Sequence, residues 1–170
     1  MSEAVDNAGD AGRTDPAPGK ARLEIRKGAD SALDLAGLRF VACRREIAGI
    51  DGGVTLYLRD TVEGEERDLL RFDFFRQKPH YHVPAENASE RAIEAEGYES
   101  GLAWGLGEIT TQTKVLLEEA GHGKVAARVD GDALEQAESR LRSLISGLAE
   151  PTETSYFEVD AALLEGLQAN

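Results

Sequence analysis

Three stretches of strand-like residues, close together in the chain, constrain the fold most strongly. Residues 38–47 are rich in strand formers, residues 54–59 alternate apolar and polar side chains, and residues 68–75 return to an extended pattern. Turn-forming residues separate the three stretches at positions 51–53 and 61–65. Strands joined by tight turns run antiparallel, so the sequence predicts a three-stranded antiparallel meander.

The rest of the chain changes in character along its length. Residues 1–20 are rich in Ala, Gly, Asp and Pro and predict a disordered tail. Residues 21–26 alternate and predict a fourth strand, at an edge of the sheet. Residues 85–100 fit either a loop or a short helix, and residues 124–130 fit either a strand or a connector.

Helical spacing dominates the second half of the chain. Apolar side chains recur every three or four residues over 102–120 and again over 134–148, where Asp132 and Glu135 predict a capping box. Residues 159–167 predict a short terminal helix. Strands followed by helices indicate a single α+β domain over residues 21–170, with a three- to four-stranded antiparallel meander covered by two C-terminal amphipathic helices.

Charge and composition exclude several classes of protein. The formal net charge is −13, and residues 85–170 carry 6 basic and 17 acidic side chains, which disfavours nonspecific nucleic-acid binding. No apolar run is long enough to cross a bilayer, so no membrane association is expected. The single cysteine, Cys43, cannot form an internal disulfide, and the acidic N-terminus does not resemble an export signal. These features predict a cytoplasmic protein.

Residues 71–82 form the one segment whose side chains suggest a binding or catalytic role, and we call it the marked segment. In an extended strand Phe72 and Phe74 point to one side and belong to the core, together with Leu70. The other side is a mixed face that carries Leu69, Arg71, Asp73 and Phe75. The spacing of Arg71 and Asp73 allows these two side chains to form an ion pair. We expect that mixed face to be covered by a helix, a neighbouring chain or a ligand.

Two histidines follow the strand and indicate a metal site. His80 and His82 are two residues apart, so an extended backbone projects both imidazoles to the same side, where they can bind one divalent metal. A third ligand is needed, and we choose Glu86, with Asp73, Cys43 and His122 as the other candidates. The spacing of the histidines and Glu86 resembles the metal-binding stretch of cupins, but the expected upstream glycine is absent.

Two alternatives to the metal site stay open. In the first alternative, Arg71 or Arg76 binds a carboxylate or another anion through a bidentate hydrogen bond. A histidine or Tyr81 then transfers a proton or binds a hydroxyl group. In the second alternative His80, Tyr81 and His82 form a strand end that packs on the sheet and has no further role.

The marked segment also resembles a known family. Residues 71–75 and 79–82, Trp104, the helix end at 116–121 and Val129 with Asp130 are similar to small bacterial proteins of unknown function. The resemblance covers residues 67–148. It implies no activity.

Three functions are compatible with the sequence. The first is a noncatalytic accessory or binding protein, such as a small subunit of a larger enzyme complex, with a protein partner or a second copy as its ligand. The second is a small metal-dependent enzyme or metal-binding protein that uses His80 and His82. The third is a carboxylate- or anion-binding protein that uses Arg71 and Arg76.

Overall fold

The computed structural model describes residues 15–169 and has an α+β fold, as the sequence predicts. In that range the strands are β1 (Lys20–Lys27), β2 (Ser31–Leu35), β3 (Leu38–Ile47), β4 (Asp51–Val62), β5 (Glu65–Phe75), β6 (His80–His82), β7 (Glu90–Ala92) and β8 (Glu153–Asp160). The helices are α1 (Gly97–Glu119), α2 (Gly123–Ala126), α3 (Gly131–Glu135), α4 (Glu138–Ser146) and α5 (Ala161–Gln168), and a 3-10 turn covers Asn87–Ser89. All eight strands form one antiparallel sheet in the order β7-β6-β5-β4-β3-β1-β8, with β2 paired to β3.

Strands β3, β4 and β5 form the predicted meander, and their register separates an apolar face from a polar one. Ala42 pairs with Leu56 and Leu56 pairs with Phe72, and all three side chains are fully buried in the core. One residue along each of β4 and β5, Thr55 pairs with Asp73. Because side chains alternate, these two polar side chains lie on the face of the sheet opposite the core. The register of the meander therefore places polar groups side by side on one surface of the sheet.

The core lies between the apolar face and helices α1 and α4. Helix α1 contacts β5, while α4 contacts β2 and β3, and Leu106, Ile109 and Leu141 of these helices are fully buried. Gly105 lies against the Phe74 ring, where an added Cβ would come within 2.2 Å of a ring carbon. Gly105 has a low helix propensity, but its lack of a Cβ allows α1 to approach the sheet closely.

A β-bulge shifts one residue out of the predicted alternation. Leu58 pairs with Leu70 and Arg59 pairs with Asp68, which leaves Leu69 as the extra residue of β5. Leu69 is fully buried in the same core cluster as Leu70. The prediction that Leu69 shares the polar face is therefore wrong.

The sheet is larger than the predicted three or four strands. Strands β6 and β7 have three residues each, which is too few to show an alternating pattern. Strand β8 is exposed at almost every position, so its side chains do not alternate between buried and exposed environments. Strand β1, predicted at an edge, pairs with β3 on one side and with β8 on the other. The edges of the sheet path are β7 and β8.

Several local predictions also need correction. The tight connection expected at 51–53 lies at 48–50, and Asp51 already belongs to β4. Residues 85–100 contain the 3-10 turn, β7 and the start of α1, while residues 124–130 contain part of α2 and a connector. The terminal helix begins at Ala161, after β8, and not at residue 159.

The second amphipathic helix is divided into α3 and α4, and its cap differs from the predicted one. Asp130, and not Asp132, precedes the first turn of α3, and its carboxylate accepts a hydrogen bond of 3.1 Å from the backbone N–H of Ala133. The helix is interrupted at Gln136 and Ala137 before α4 begins. The apolar stripe itself is confirmed, since Leu134, Ala137, Leu141, Ile145 and Leu148 are buried.

The predicted tail lies mostly outside the described residues. Of residues 1–20 the structure describes 15–20, and Lys20 already begins β1. Among the helices of residues 15–169, none is long and apolar enough to cross a membrane.

Candidate metal centre

The hairpin from β5 to β6 brings the marked residues together on the polar face of the sheet. Asp73 pairs with His80, and Arg71 pairs with His82, so the i, i+2 spacing in both strands places four side chains in one cluster. Asp73 is 2% exposed and His82 is 1% exposed. The expected ion pair is present, with Arg71 Nε 3.0 Å from Asp73 Oδ2.

Three atoms that can act as metal ligands converge in this cluster at distances that suit a metal ion. Asp73 Oδ2 lies 3.2 Å from His80 Nε2 and 3.4 Å from His82 Nε2, and each of the three residues offers a ligand atom within 4.8 Å of the others. In a tetrahedral zinc site with bonds of about 2.0–2.1 Å, neighbouring ligand atoms are about 3.3 Å apart. The carboxylate–imidazole distances therefore match the edges of such a site.

Backbone carbonyl groups fix the orientation of both imidazoles. His80 Nδ1 lies 2.8 Å from the carbonyl oxygen of Lys78, and His82 Nδ1 lies 3.0 Å from that of Glu86. We assign the Nδ1 proton to each ring on this basis, because a carbonyl oxygen can only accept a hydrogen bond. A metal-binding histidine commonly donates one N–H to such an acceptor while its other nitrogen binds the ion. Here that leaves the Nε2 atoms for the ion.

Arg71 and Thr55 complete the cluster. The hydroxyl group of Thr55 donates a hydrogen bond of 2.6 Å to Asp73 Oδ1, which leaves Oδ2 facing the histidines. Arg71 Nη2 lies 2.6 Å from His82 Nε2 and donates to it, because an arginine has no acceptor. The guanidinium group thus binds the same nitrogen that a metal would bind.

The charges of the cluster shift two pKa values. Burial by itself would raise the pKa of Asp73, but its hydrogen bonds with His80 and Thr55 and the charge of Arg71 outweigh burial and hold that pKa well below its usual range. Burial would likewise lower the pKa of His80, but its interactions with Asp73 and with the carbonyl group of Lys78 raise that pKa above its ordinary value. The carboxylate is therefore ionised, and His80 holds its second proton more strongly than a free histidine.

The raised pKa of His80 predicts a pH dependence of stability for the metal-free protein. Protonated His80 stabilises the fold, and this contribution is complete below the unfolded-state pKa of about 6.5 and is lost as pH rises through the folded-state value. We expect the free energy of unfolding to fall over that range, and His80→Gln to remove the fall. Urea denaturation in a chelator at a series of pH values measures it, with His122→Gln as the control. Parallel pH profiles for the wild type and His80→Gln would contradict the assignment.

The other residues predicted for the site lie outside the cluster. Both guanidinium Nη atoms of Arg76 bind Glu46, at 2.8 and 2.7 Å. The Tyr81 ring stacks on Phe72 on the core side of the sheet, with ring centroids 5.4 Å apart. Glu86 contributes its carbonyl oxygen to the cluster, and its side chain is exposed. The acid that the structure brings to both histidines is therefore Asp73 and not the chosen third ligand, Glu86.

Two residues near the cluster were missed in the sequence. Thr55 lies opposite Asp73 in the meander, and counting the register back from the turn between β4 and β5 could have suggested it. Glu90 lies in β7, and its Oε2 is 3.8 Å from His80 Nε2. Strand β7 has only three exposed residues, so no sequence pattern indicates that Glu90 approaches the histidines.

The remaining candidate ligands lie elsewhere. Cys43 is fully buried in the sheet, and burial raises the pKa of its thiol, in agreement with its interpretation as a small buried residue. His122 lies in the turn before α2. Neither belongs to the group of converging ligand atoms in the described part of the chain.

The fold and the cluster define an α+β protein with a buried carboxylate between two histidines. The family model described as "Domain of unknown function (DUF7700)" matches residues 24–145, and the chain belongs to that family. The expected resemblance to a family of unknown function is confirmed. The matched range includes the whole cluster and ends before β8 and α5. Neither a curated protein nor a solved structure is significantly similar to this chain.

Proposed function

We propose that this protein binds one divalent transition metal ion through Asp73, His80 and His82. The observation that carries the proposal is the convergence of one carboxylate oxygen and two Nε2 atoms whose rings are already oriented by backbone carbonyl groups. Two imidazoles and a carboxylate suit zinc, iron, nickel or copper, and they do not suit a hard cation such as calcium. Zinc is the first ion to test.

Three protein ligands leave at least one position on the metal for water or another small ligand, which is the arrangement of catalytic rather than structural zinc sites. The proposal therefore includes the small metal-dependent enzyme that the sequence analysis considers. His80 and Arg71 are the least buried members of the cluster, with side chains 16% and 14% exposed, so an ion or a ligand reaches the site past them.

Arg71 has to give up one contact when the metal binds. Its Nη2 occupies the lone pair of His82 Nε2, so the ion and the guanidinium group compete for that nitrogen. Its bond to Asp73 through Nε does not involve His82 and is compatible with a metal on the same carboxylate, which has several acceptor positions. We propose that Arg71 holds the metal-free site together and moves aside when the ion enters.

A titration of the metal-free protein with Zn²⁺ and Co²⁺, followed by calorimetry and by cobalt absorption, tests the proposal. The expected result is one ion per chain, with the intense visible bands of four- or five-coordinate cobalt. A stoichiometry far below one ion per chain for both metals would overturn the proposal. The cluster would then be explained as a buried ion pair that stabilises the fold.

Arg71→Met is expected to strengthen metal binding, because it removes a competing charge-assisted hydrogen bond from His82. Such bonds contribute about 1.5–3 kcal/mol, so the affinity for Zn²⁺ should rise by about tenfold or more. Arg59→Met, which removes a partly exposed arginine paired with Asp68 on the same sheet, is the matched control and should leave the affinity unchanged. A weaker affinity in Arg71→Met would show that Arg71 supports the metal instead of competing with it.

The other functions considered from the sequence stay proposals of lower rank. An accessory or binding protein with a protein partner is supported by the exposed apolar side chains of β8 and α5, Tyr156, Phe157 and Leu163. The residues of the mixed face that first suggested a partner, Asp73 and Phe75, are covered within the chain. A single anion site using both Arg71 and Arg76 has less support, since the two guanidinium groups bind different partners. We also infer a cytoplasmic location, supported by the one unpaired cysteine.

A further inference from the structure

A small cavity adjoins the candidate metal centre on the polar face of the sheet. Its volume is about 240 Å³, below the range of about 300–1,000 Å³ typical of sites for drug-sized ligands. Apolar side chains from four parts of the chain form most of its wall: Leu23, Ile47, Ile50, Phe75 and Leu167. The cavity therefore suits a small molecule with an apolar body.

His80 connects the cavity to the metal centre. It lines the cavity, and its Nε2 is one of the three converging ligand atoms. Glu90 also lines the cavity, and its Oε2 lies 3.8 Å from that nitrogen. Asp73 and His82 do not line the cavity, so a metal bound to His80 would adjoin the end that His80 and Glu90 form. An open coordination position on that side could accept a ligand atom.

The cavity wall carries two acids, Asp51 and Glu90, against Lys78 and His80. The preference for an anionic ligand therefore comes from the Lys78 ammonium group and from the proposed metal. Asp51 is 8% exposed, and its carboxylate already accepts hydrogen bonds from the backbone N–H groups of Gly52 at 2.8 Å and of Lys78 at 2.8 Å. The Lys78 ammonium group, in contrast, has no hydrogen bond or ion pair with any residue between 15 and 169, and Lys78 lines the cavity. Glu90 is the more exposed of the two acids, with a side chain that is 60% exposed.

We propose that this cavity binds a small monocarboxylate with an apolar body, whose carboxylate lies at the end formed by His80, Lys78 and the metal. The metal part of this inference rests on the function proposed above. Lys78 lines the same cavity and its carbonyl oxygen lies 2.8 Å from His80 Nδ1, so its exposed side chain can bring a second positive group to the same end. The apolar body lies between Leu23, Ile50 and Leu167.

Helix α5 sets the size of the ligand, because Leu167 closes part of the cavity wall. Leu167 is 38% exposed, so a larger side chain at this position can be accommodated without disturbing the core. Leu163 lies on the same helix, is 56% exposed and is not part of the cavity wall. The pair Leu167→Trp and Leu163→Trp thus gives a blocking variant and a matched control.

Calorimetric titration with butyrate and benzoate, each against protein with and without Zn²⁺, tests the inference, with butylamine as the probe of opposite charge. At least one carboxylate should bind the zinc-loaded protein. Leu167→Trp should weaken that binding at least about tenfold, Lys78→Met by about tenfold, and Leu163→Trp should not change it. Zinc affinity should be the same in all three variants, because none of these residues is a proposed ligand.

The outcomes separate the cavity from the metal site. Carboxylate binding that is lost in Leu167→Trp, in a protein that binds no zinc, would overturn the metal proposal and support the cavity. Zinc binding with no carboxylate binding would overturn the cavity proposal alone. Preferential binding of butylamine, or carboxylate binding that Leu167→Trp leaves unchanged, would overturn the ligand class or the location.

Discussion

His82→Ala is expected to weaken Zn²⁺ binding by more than 100-fold. Loss of an outer-shell partner of a metal ligand typically costs about 10–100-fold in affinity, and loss of the ligand itself should cost more. His82 is almost fully buried, so no solvent-exposed neighbour can replace its nitrogen. Competition titration with a chromophoric chelator measures the affinity of the wild type and the variant over that range.

The matched control for this variant is His122→Ala. It removes the third histidine of the chain, which lies in the turn before α2 and is not part of the cluster. The affinity of this variant should equal that of the wild type. If His82→Ala and His122→Ala bind zinc equally well, the ion is bound elsewhere on the protein and the proposed site is wrong.

Asp73→Ala is expected to lower the free energy of unfolding by about 3–5 kcal/mol, the usual cost of removing one member of a buried ion pair. The substitution leaves the largely buried Arg71 guanidinium without its carboxylate, and it deprives Thr55 of its acceptor. For a domain of this size the change corresponds to a fall in the melting temperature of about 6–20 °C. Thermal and urea denaturation of the metal-free protein measure it.

Two further variants show whether the effect comes from the charge of Asp73. Asp73→Asn keeps the shape of the side chain and an acceptor for Thr55, so it should be destabilised less than Asp73→Ala. Asp68→Ala removes the carboxylate of a more exposed pair with Arg59 and should cost no more than about 1 kcal/mol. A loss in Asp73→Ala as small as that in Asp68→Ala would mean that the cluster contributes little to the fold.

The sequence predicts those parts of the fold whose side chains alternate between two environments. Strands β3, β4 and β5 have one face in the core, so Phe72 and Phe74 could be placed correctly from their spacing. Strand β8 has no buried face, and its last residues continue into the apolar pattern of α5, so the sequence pattern wrongly predicts a helix at Val159. Short or exposed strands carry no periodic signal, because their position is determined by pairing with neighbours distant in the chain.

The candidate site shows the same division between local and long-range information. The two i, i+2 spacings predict that Arg71 pairs with Asp73 and that His80 and His82 point the same way, and both expectations agree with the structure. The register of β6 against β5 brings Asp73 opposite His80, and that register depends on the turn at 76–79. Without that register, Glu86 is the nearer acid along the chain, and the sequence favours it as the third ligand.

The most direct test of the account is a crystal structure of the protein grown with Zn²⁺, with diffraction data collected on both sides of the zinc absorption edge. The account predicts one strong anomalous peak in the cluster, about 2.0–2.2 Å from Asp73 Oδ2, His80 Nε2 and His82 Nε2. Arg71 should have moved away from His82. A cluster without an anomalous peak at a saturating zinc concentration, with Arg71 still bound to His82, would contradict it.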